Sequence, residues 1–465
     1  MTDFFPKDFT ERVAGQEYID ESSLFAALTD PSPVSIRLNP AKWGRAPLSG
    51  ERVPWCDTGF YLPRRPVFTL DPLLHAGCYY VQEASSMFLE VVFRQLCGEG
   101  NGLRILDMSA SPGGKTTHLA SLAGPDSILI ANEPVRSRLG ALLENTTRWG
   151  KPNTIVSNSD PDDFIRLPDF FDIILVDAPC SGEGMFRKTD VRELWSVSNC
   201  DICSDRQKRI LRAAWQTLKP GGSLIYSTCT FNPDENEANI RWLIESYGAG
   251  VVRVDKSRFE GVKELGDTEI LGYGFHPGNI RGEGFFISAV TKPETTEVKE
   301  YVMVPYARAP GKHSLQGKAI PQKIADMVTL SGGYLHQSGD SFYHYPVSAD
   351  EMALIGGKLN LVKRGTEICR LKRDSIIPSH ELCMSAIMTA NTFPEVDVSY
   401  NDAIRFLRKD NLVLKEGIPA GWCVLTYAGV RLGFVNNIGS RLNNYFPANS
   451  RIRMDAATDE VRVLI

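Results

Sequence analysis

The sequence predicts an α/β protein built on a doubly wound, mostly parallel sheet. Two observations predict it. Between residues 100 and 290, short apolar runs alternate with stretches of helical periodicity, the pattern that strand–helix–strand crossovers impose. The residue types able to do chemistry, namely glycines, carboxylates and two cysteines, fall directly after those apolar runs, where a doubly wound sheet holds its ligands.

A chain of 465 residues is long enough for two to four domains. Its 43% hydrophobic and 23% charged residues are those of a globular protein and exclude a collagenous or largely disordered chain. With 51 basic and 56 acidic residues, a net charge of -5, it cannot coat a polyanion by bulk positive charge, so any such partner must be met by local patches. The start, Met1 to Asp8, has carboxylates where a secretory signal needs a basic and then an apolar stretch. Apolar runs such as Ile173 to Val176 fall far short of the roughly 18 residues of a membrane span. A soluble, cytoplasmic protein with no membrane contact is expected. Ten cysteines scattered from Cys56 to Cys423 are expected to be reduced thiols.

In chain order, residues 1–72 are rich in Pro and loop formers, carry Ser35-Ile-Arg-Leu-Asn39, and are expected to form an N-terminal accessory domain. Residues 73–292 hold the sheet. Its strands are expected at Leu103 to Met108, Ser127 to Ala131, Thr154 to Ser157, Asp172 to Val176, Ser223 to Ser227 and Phe285 to Val290. The intervening helices are expected at Thr116 to Leu122, Arg136 to Trp149, Ser204 to Leu218 and Glu235 to Glu245. Near residue 300 the charge balance changes from -9 before to +4 after, and Thr291 to Glu300 lacks apolar periodicity, as a linker would. Residues 301–383 then form an intermediate C-terminal domain and residues 384–465 a final one. In the latter, Gly421 to Phe434 reads as a hairpin around Ala428-Gly429, followed by basic Arg451 and Arg453.

After the first strand comes Ser109-Ala-Ser-Pro-Gly-Gly-Lys115, a tight turn opening a helix. Gly113 and Gly114 permit positive φ and close approach of a ligand, and the free N–H groups of the helix start favour negative charge. A Walker A loop would need glycine where Ser109 stands, and the dinucleotide G-x-G-x-x-G pattern is absent. A lone glycine turn serves equally as plain strand-to-helix geometry. The acids break that tie: Glu133 ends the second strand, 19 residues after Gly114, Asp160 follows the third, and Asp177 closes the fourth. Together they describe a pocket for a ribose and a base, with no clamp for a triphosphate.

Cys180 follows the fourth strand in Asp177-Ala-Pro-Cys-Ser-Gly-Glu-Gly184, and Cys229 follows the fifth in Ser227-Thr-Cys229. Adjacent parallel strands would bring both thiols to one edge of the pocket, where a thiolate can act as a nucleophile. Residue patterning alone leaves open which of the two attacks.

These three motifs, with Asn232-Pro-Asp-Glu-Asn-Glu237, resemble in residues and order the RsmB/RsmF (Nop/Sun) family of RNA cytosine-5 methyltransferases; the Trp422 to Phe446 region resembles the RsmF-type tail with its PUA-like module. Ser109 and Ser111 stand where that family usually has Cys and Ala. The resemblance implies a Rossmann-like class I S-adenosylmethionine-dependent methyltransferase sheet, an RNA-binding N-terminal domain, and α+β RNA-binding modules at the C-terminus. It implies S-adenosylmethionine as cofactor, held by Ser109, Ala110, Ser111, Pro112, Gly113, Gly114 and Lys115, by Glu133 at the ribose, Asp160 at the adenine amine, and Asp177. It also implies Cys229 as nucleophile, Cys180 assisting its release, and Asp177 on the cytosine edge. The expected partner is RNA, small-subunit (16S) ribosomal RNA or the 30S subunit ahead of transfer RNA, acted on by a monomer; the alternative is a non-catalytic RNA-binding assembly factor.

Cys200-Asp-Ile-Cys203 has metal-ligand spacing but no second Cys/His pair at zinc-ribbon distance, and no metal is expected. Arg206, Lys208, Arg209 and Arg212 read as a solvated helix face, and Tyr79 and Tyr80 as core.

Overall fold

The computed structural model describes all residues except 1–3, 48, 99, 267–268, 295–319, 374, 413–417 and 456–460. The expected linker up to Glu300 and the start of the intermediate domain therefore lie largely outside the described residues.

The central sheet contains seven strands that set the site: β1 (Arg104–Asp107), β2 (Ile128–Asn132), β3 (Thr154–Ser157), β4 (Phe171–Asp177), β5 (Leu218–Thr228), β6 (Gly272–Phe275) and β7 (Phe285–Thr291). Their spatial order is β3-β2-β1-β4-β5-β7-β6, with β1 to β5 parallel and β7 antiparallel to both neighbours. The order reverses between β1 and β4, so the ligand crevice opens at the carboxyl ends of those two strands. Alternate residues bury on opposite faces. Leu106, Ile130, Ile174 and Leu224 share one core with residues of the helices Val197–Thr217 and Glu237–Tyr247. Ile105, Leu129, Ile173 and Ile225 share another with residues of Leu89–Cys97 and Gly114–Leu122.

The expected strands fall within a few residues of those observed. The hairpin partner β6 was not among them.

The N-terminal unit forms a four-stranded antiparallel sheet, in the order Glu51–Arg52, Gly59–Leu62, Val34–Leu38, Tyr79–Val81. It runs past the boundary expected at residue 72, because Tyr79–Val81 bonds to Val34–Leu38.

Beyond residue 320, Tyr334–Ser338, Ser341–Tyr345, Thr366–Lys372 and Ser375–Pro378 build one antiparallel sheet. Leu361–Lys363 leaves it to pair with β3, so this segment does not stand apart from the central sheet. The expected hairpin is present as Gly421–Tyr427 and Val430–Asn437, turned by Ala428 and Gly429, both at positive φ. Its Leu425 and the helix residue Phe406 share a core with Ile36 and Phe60, so the first and last units of the chain pack on each other. No helix among the described residues is long and apolar enough to cross a membrane.

Candidate active site

Strand β1 ends at Asp107, and the following turn is stitched to its neighbours by Met108 N to Leu175 O at 2.9 Å and Ala110 N to Asn132 O at 2.8 Å. Gly113, at φ 111°, caps the helix Gly114–Leu122; a Cβ there would come within 3.2 Å of Asn145 Cβ. Ser111 exchanges bonds with Arg138: its hydroxyl donates to the Arg138 carbonyl at 2.9 Å, and the guanidinium donates to the Ser111 carbonyl at 2.8 Å. The loop is thus fixed before any ligand arrives.

A cavity of about 600 Å³ opens on this turn. Its walls include Asp107, Ser109, Ala110, Ser111, Pro112, Gly114, Lys115, Asp177 and Cys229, with Tyr80 to Glu83 of the N-terminal unit opposite. Glu133 and Asp160 are not on that wall. Glu133 is buried beside it: one carboxylate oxygen accepts from Val135 N at 2.8 Å, while the other has no hydrogen-bond partner and lies 3.5 Å from the Arg138 guanidinium. Asp160 instead caps the short helix Pro161–Arg166, accepting from Asp162 N, and is ion-paired with Arg209.

Sequence reasoning passed over Asp107, which is embedded in an apolar run. It is 1% exposed; Thr116 Oγ1 donates to its Oδ2 at 2.6 Å, and its Oδ1 has no partner. Burial pushes the Asp107 carboxyl up to about 7, against the hydrogen bond from Thr116, with the nearby Asp177 carboxylate adding to the rise. Lys115 Nζ lies 2.8 Å from Asp177 Oδ1, which also accepts from Ser227 Oγ at 2.8 Å. Burial pulls the Lys115 ammonium down, but Asp177, Cys229 and Asp107 together hold it above its usual value.

The two cysteine loops meet as the paired strands β4 and β5 require. Cys180 Sγ and Cys229 Sγ are 3.1 Å apart, and Cys229 N donates to Cys180 Sγ at 3.3 Å. The hydrogen bond with Cys229, then burial, raises the Cys180 thiol well above its ordinary range, so it keeps its proton. Only Cys229 of the pair lines the cavity. Two buried acids lace the loops together. Glu235 accepts from Ser181 N, Gln207 Nε2 and Asn232 Nδ2, and Glu183 accepts from Thr230 Oγ1 and Phe231 N. Both acids stood in the quoted motifs without an assigned role. Cys200 and Cys203 are buried on the helix Val197–Thr217.

Residues 97–291 match the model of the 16S rRNA methyltransferase RsmB/F, residues 5–84 that of the N-terminal domain of 16S rRNA methyltransferase RsmF, and residues 393–452 the methyltransferase RsmF PUA domain. The chain is 32% identical to the ribosomal RNA small subunit methyltransferase F of Enterobacter sp. (strain 638), over 96% of this chain and 95% of that one. The chain belongs to the RsmB/F methyltransferase family. Its Vibrio atlanticus relative of the same name is 30% identical over 96% of this chain and 97% of its own. Among solved structures, a methyltransferase homolog protein from Pyrococcus horikoshii is 29% identical with a TM-score of 0.53, covering 62% of this chain and 95% of that one.

S-adenosylmethionine is the cofactor of this RsmB/F methyltransferase fold, and the residues present fit it. The helix start at Gly114 offers backbone N–H groups to an anionic end. The orphaned, buried oxygens of Asp107 and Glu133 offer acceptors to hydroxyl or ammonium donors.

Proposed function

We propose that this chain methylates carbon 5 of a cytosine in 16S ribosomal RNA through a covalent bond between Cys229 and the base. The observation that carries this reading is the thiol pair: Cys229 shares the cavity wall with Lys115 and Asp177, while Cys180 touches it from outside the cavity. The names of the full-length relatives support small-subunit ribosomal RNA as the substrate class.

Carbon 5 of cytosine is not nucleophilic until the ring's aromaticity is broken. The Cys229 sulfur adds to carbon 6, and the Lys115 ammonium offers a counter-charge to the thiolate that attacks. Asp177 accepts from the cytosine edge and stabilises its protonated form, which draws electrons from carbon 6. When bound, S-adenosylmethionine supplies an electrophilic methyl group to carbon 5. Transfer of the carbon 5 proton to solvent water then leaves its electron pair to re-form the carbon 5–carbon 6 double bond, which expels the Cys229 sulfur as a thiolate and restores the ring. Cys180, which keeps its proton, donates a hydrogen bond to that departing sulfur. Within the cofactor pocket, Ser109 to Lys115 cradle the methionine part, Glu133 takes the ribose, and Asp107 is available to the ammonium. Asp160 is assigned to the adenine amine through Oδ2, because its bonds from Asp162 N and Arg209 both fall on Oδ1. The target base must be unstacked, since a thiol cannot reach carbon 6 inside a helix. The N-terminal unit and the basic tail with its PUA-like module supply RNA contacts to a monomer acting in the cytoplasm.

Small subunits and transfer RNA from a strain lacking the gene, incubated with the enzyme and labelled cofactor, test the assignment. Label recovered as 5-methylcytosine in 16S RNA is expected. Label confined to transfer RNA overturns the substrate, and no transfer to any RNA favours a non-catalytic assembly role.

A further inference from the structure

The motif Ser35-Ile-Arg-Leu-Asn39 lies outside the cofactor turn, yet its arginine reaches the start of the cofactor helix. Arg37 is wholly buried. One terminal nitrogen donates to Thr117 Oγ1 at 2.7 Å and to the Gly114 carbonyl at 3.3 Å, and Nε donates to Gln82 Oε1 at 2.8 Å. The guanidinium lies over the Trp149 ring, 4.5 Å from its centroid, and its other terminal nitrogen has no hydrogen-bond partner. Among the described residues, no carboxylate lies within ion-pairing distance of it. Burying a cation on these terms is costly, and a neutral residue would pack the core more cheaply. Burial draws the group down to about 10, which leaves it protonated at neutral pH.

We infer that Arg37 is a positioning residue for cofactor binding, joining the N-terminal unit to the helix start that holds the anionic end of S-adenosylmethionine. The inference rests on the reading of the glycine turn as the cofactor site. Two consequences of the geometry support it. The bonds to Gly114 and Thr117 fix the first turn of that helix, whose N–H groups must be aimed before the ligand arrives. The positive charge adds to the potential of the helix start, which favours a carboxylate there. Gln82, held by the same guanidinium, lies on the opposite wall of the cavity, so one side chain sets the relation of the two walls. The residue after Thr117, His118, is bonded to buried Glu90 at 3.2 Å, and Glu90 also accepts from Cys56 of the N-terminal unit at 3.1 Å. Cys56, Glu90 and His118 have metal-ligating side chains, but they already bond to one another, and the second nitrogen of His118 lacks the partner a ligating histidine normally keeps. They give the same helix a second attachment, on the residue next to the one that Arg37 bonds.

The test uses the full chain and S-adenosylhomocysteine, whose binding is read by calorimetry without turnover. Variants Arg37→Lys, Arg37→Met and Thr117→Val, and the double variant Arg37→Lys/Thr117→Val, are compared with Asn39→Ala. The last, one residue past the strand that carries Arg37, removes bonds to the Gly77 and Trp149 carbonyls but none to the helix Gly114–Leu122. Arg37→Met is expected to weaken binding about tenfold, and Arg37→Lys less. Arg37→Lys and Thr117→Val are expected to be non-additive, while Asn39→Ala lowers the thermal midpoint with affinity kept within about twofold. RNA affinity and the single-turnover rate at saturating cofactor should stay near wild type in Arg37→Lys. Unchanged affinity in a folded Arg37→Met variant overturns the inference. So does additivity of the Lys and Val changes, which remains readable if Arg37→Met fails to fold. Absence of binding by the wild-type chain would instead overturn the cofactor reading.

Discussion

Cys180 Sγ lies 3.1 Å from Cys229 Sγ, and the Cys180 thiol, raised by that contact and by burial, keeps its proton. The pair is therefore asymmetric before substrate arrives. One sulfur holds a proton and lies off the cavity wall; the other lines the cavity with Lys115 and Asp177. That asymmetry supports the proposed division of labour, in which Cys229 attacks and Cys180 assists release.

The turn after β1, proposed to hold the cofactor, depends on a left-handed glycine. At Gly113, φ 111° is a conformation that costs a side chain about 1–3 kcal/mol, and a Cβ would also crowd Asn145. Gly113→Ala is expected to weaken S-adenosylhomocysteine binding about tenfold in calorimetry and to lower the thermal midpoint, with RNA affinity preserved.

Asp107 makes stability depend on pH. Its folded pKa, pushed up to about 7, lies above the ordinary aspartate value of about 3.9, so the folded state binds the proton more tightly. This stabilising contribution is full below about pH 4 and is lost as pH rises through 7. Asn at this position cannot ionise and can still accept from Thr116. Relative to wild type, Asp107→Asn is therefore expected to gain thermal midpoint between pH 5 and pH 8, by on the order of a few degrees. Its cofactor affinity should fall.

Glu235 bridges the cysteine loops from a wholly buried position. Glu235→Ala strands the donors of Ser181, Gln207 and Asn232, which should cost about 2–4 kcal/mol, read as a lower urea midpoint at constant slope. Turnover should fall more than cofactor affinity, because the thiol pair loses its registration while the glycine turn is untouched.

Much of the sheet was legible because the central residues of β1, β2, β4 and β5, such as Ile173 to Val176 and Leu224 to Tyr226, are buried on both faces and read as short apolar runs ending in turn residues. The same logic placed Cys180 and Cys229 together, since β4 and β5 pair in parallel. Strand β6 was hidden by Gly272 and Gly274, which dilute its apolar pattern; Gly272 is required there because a Cβ would come within 2.4 Å of the Phe286 ring. Leu361–Lys363 is too short to show a period, and its partner β3 lies about two hundred residues earlier in the chain. Asp107 escaped notice because an acid inside an apolar run declares a function only once its burial and its unpaired oxygen are known. Asp160 carries a second signal besides the one assigned to it at the adenine amine, which stands as a proposal. Asp160-Pro161 is a helix-start signal, and the side chain is engaged in that cap and with Arg209.

The central claim is that Cys229 attacks and Cys180 releases. Wild type, Cys180→Ala and Cys229→Ala, each incubated with substrate RNA and S-adenosylmethionine and then run on a denaturing gel, test it most directly. The account predicts a denaturant-resistant protein–RNA adduct that accumulates in Cys180→Ala, with neither adduct nor turnover in Cys229→Ala. An adduct formed by Cys229→Ala, or normal methyl transfer by it, would contradict the account.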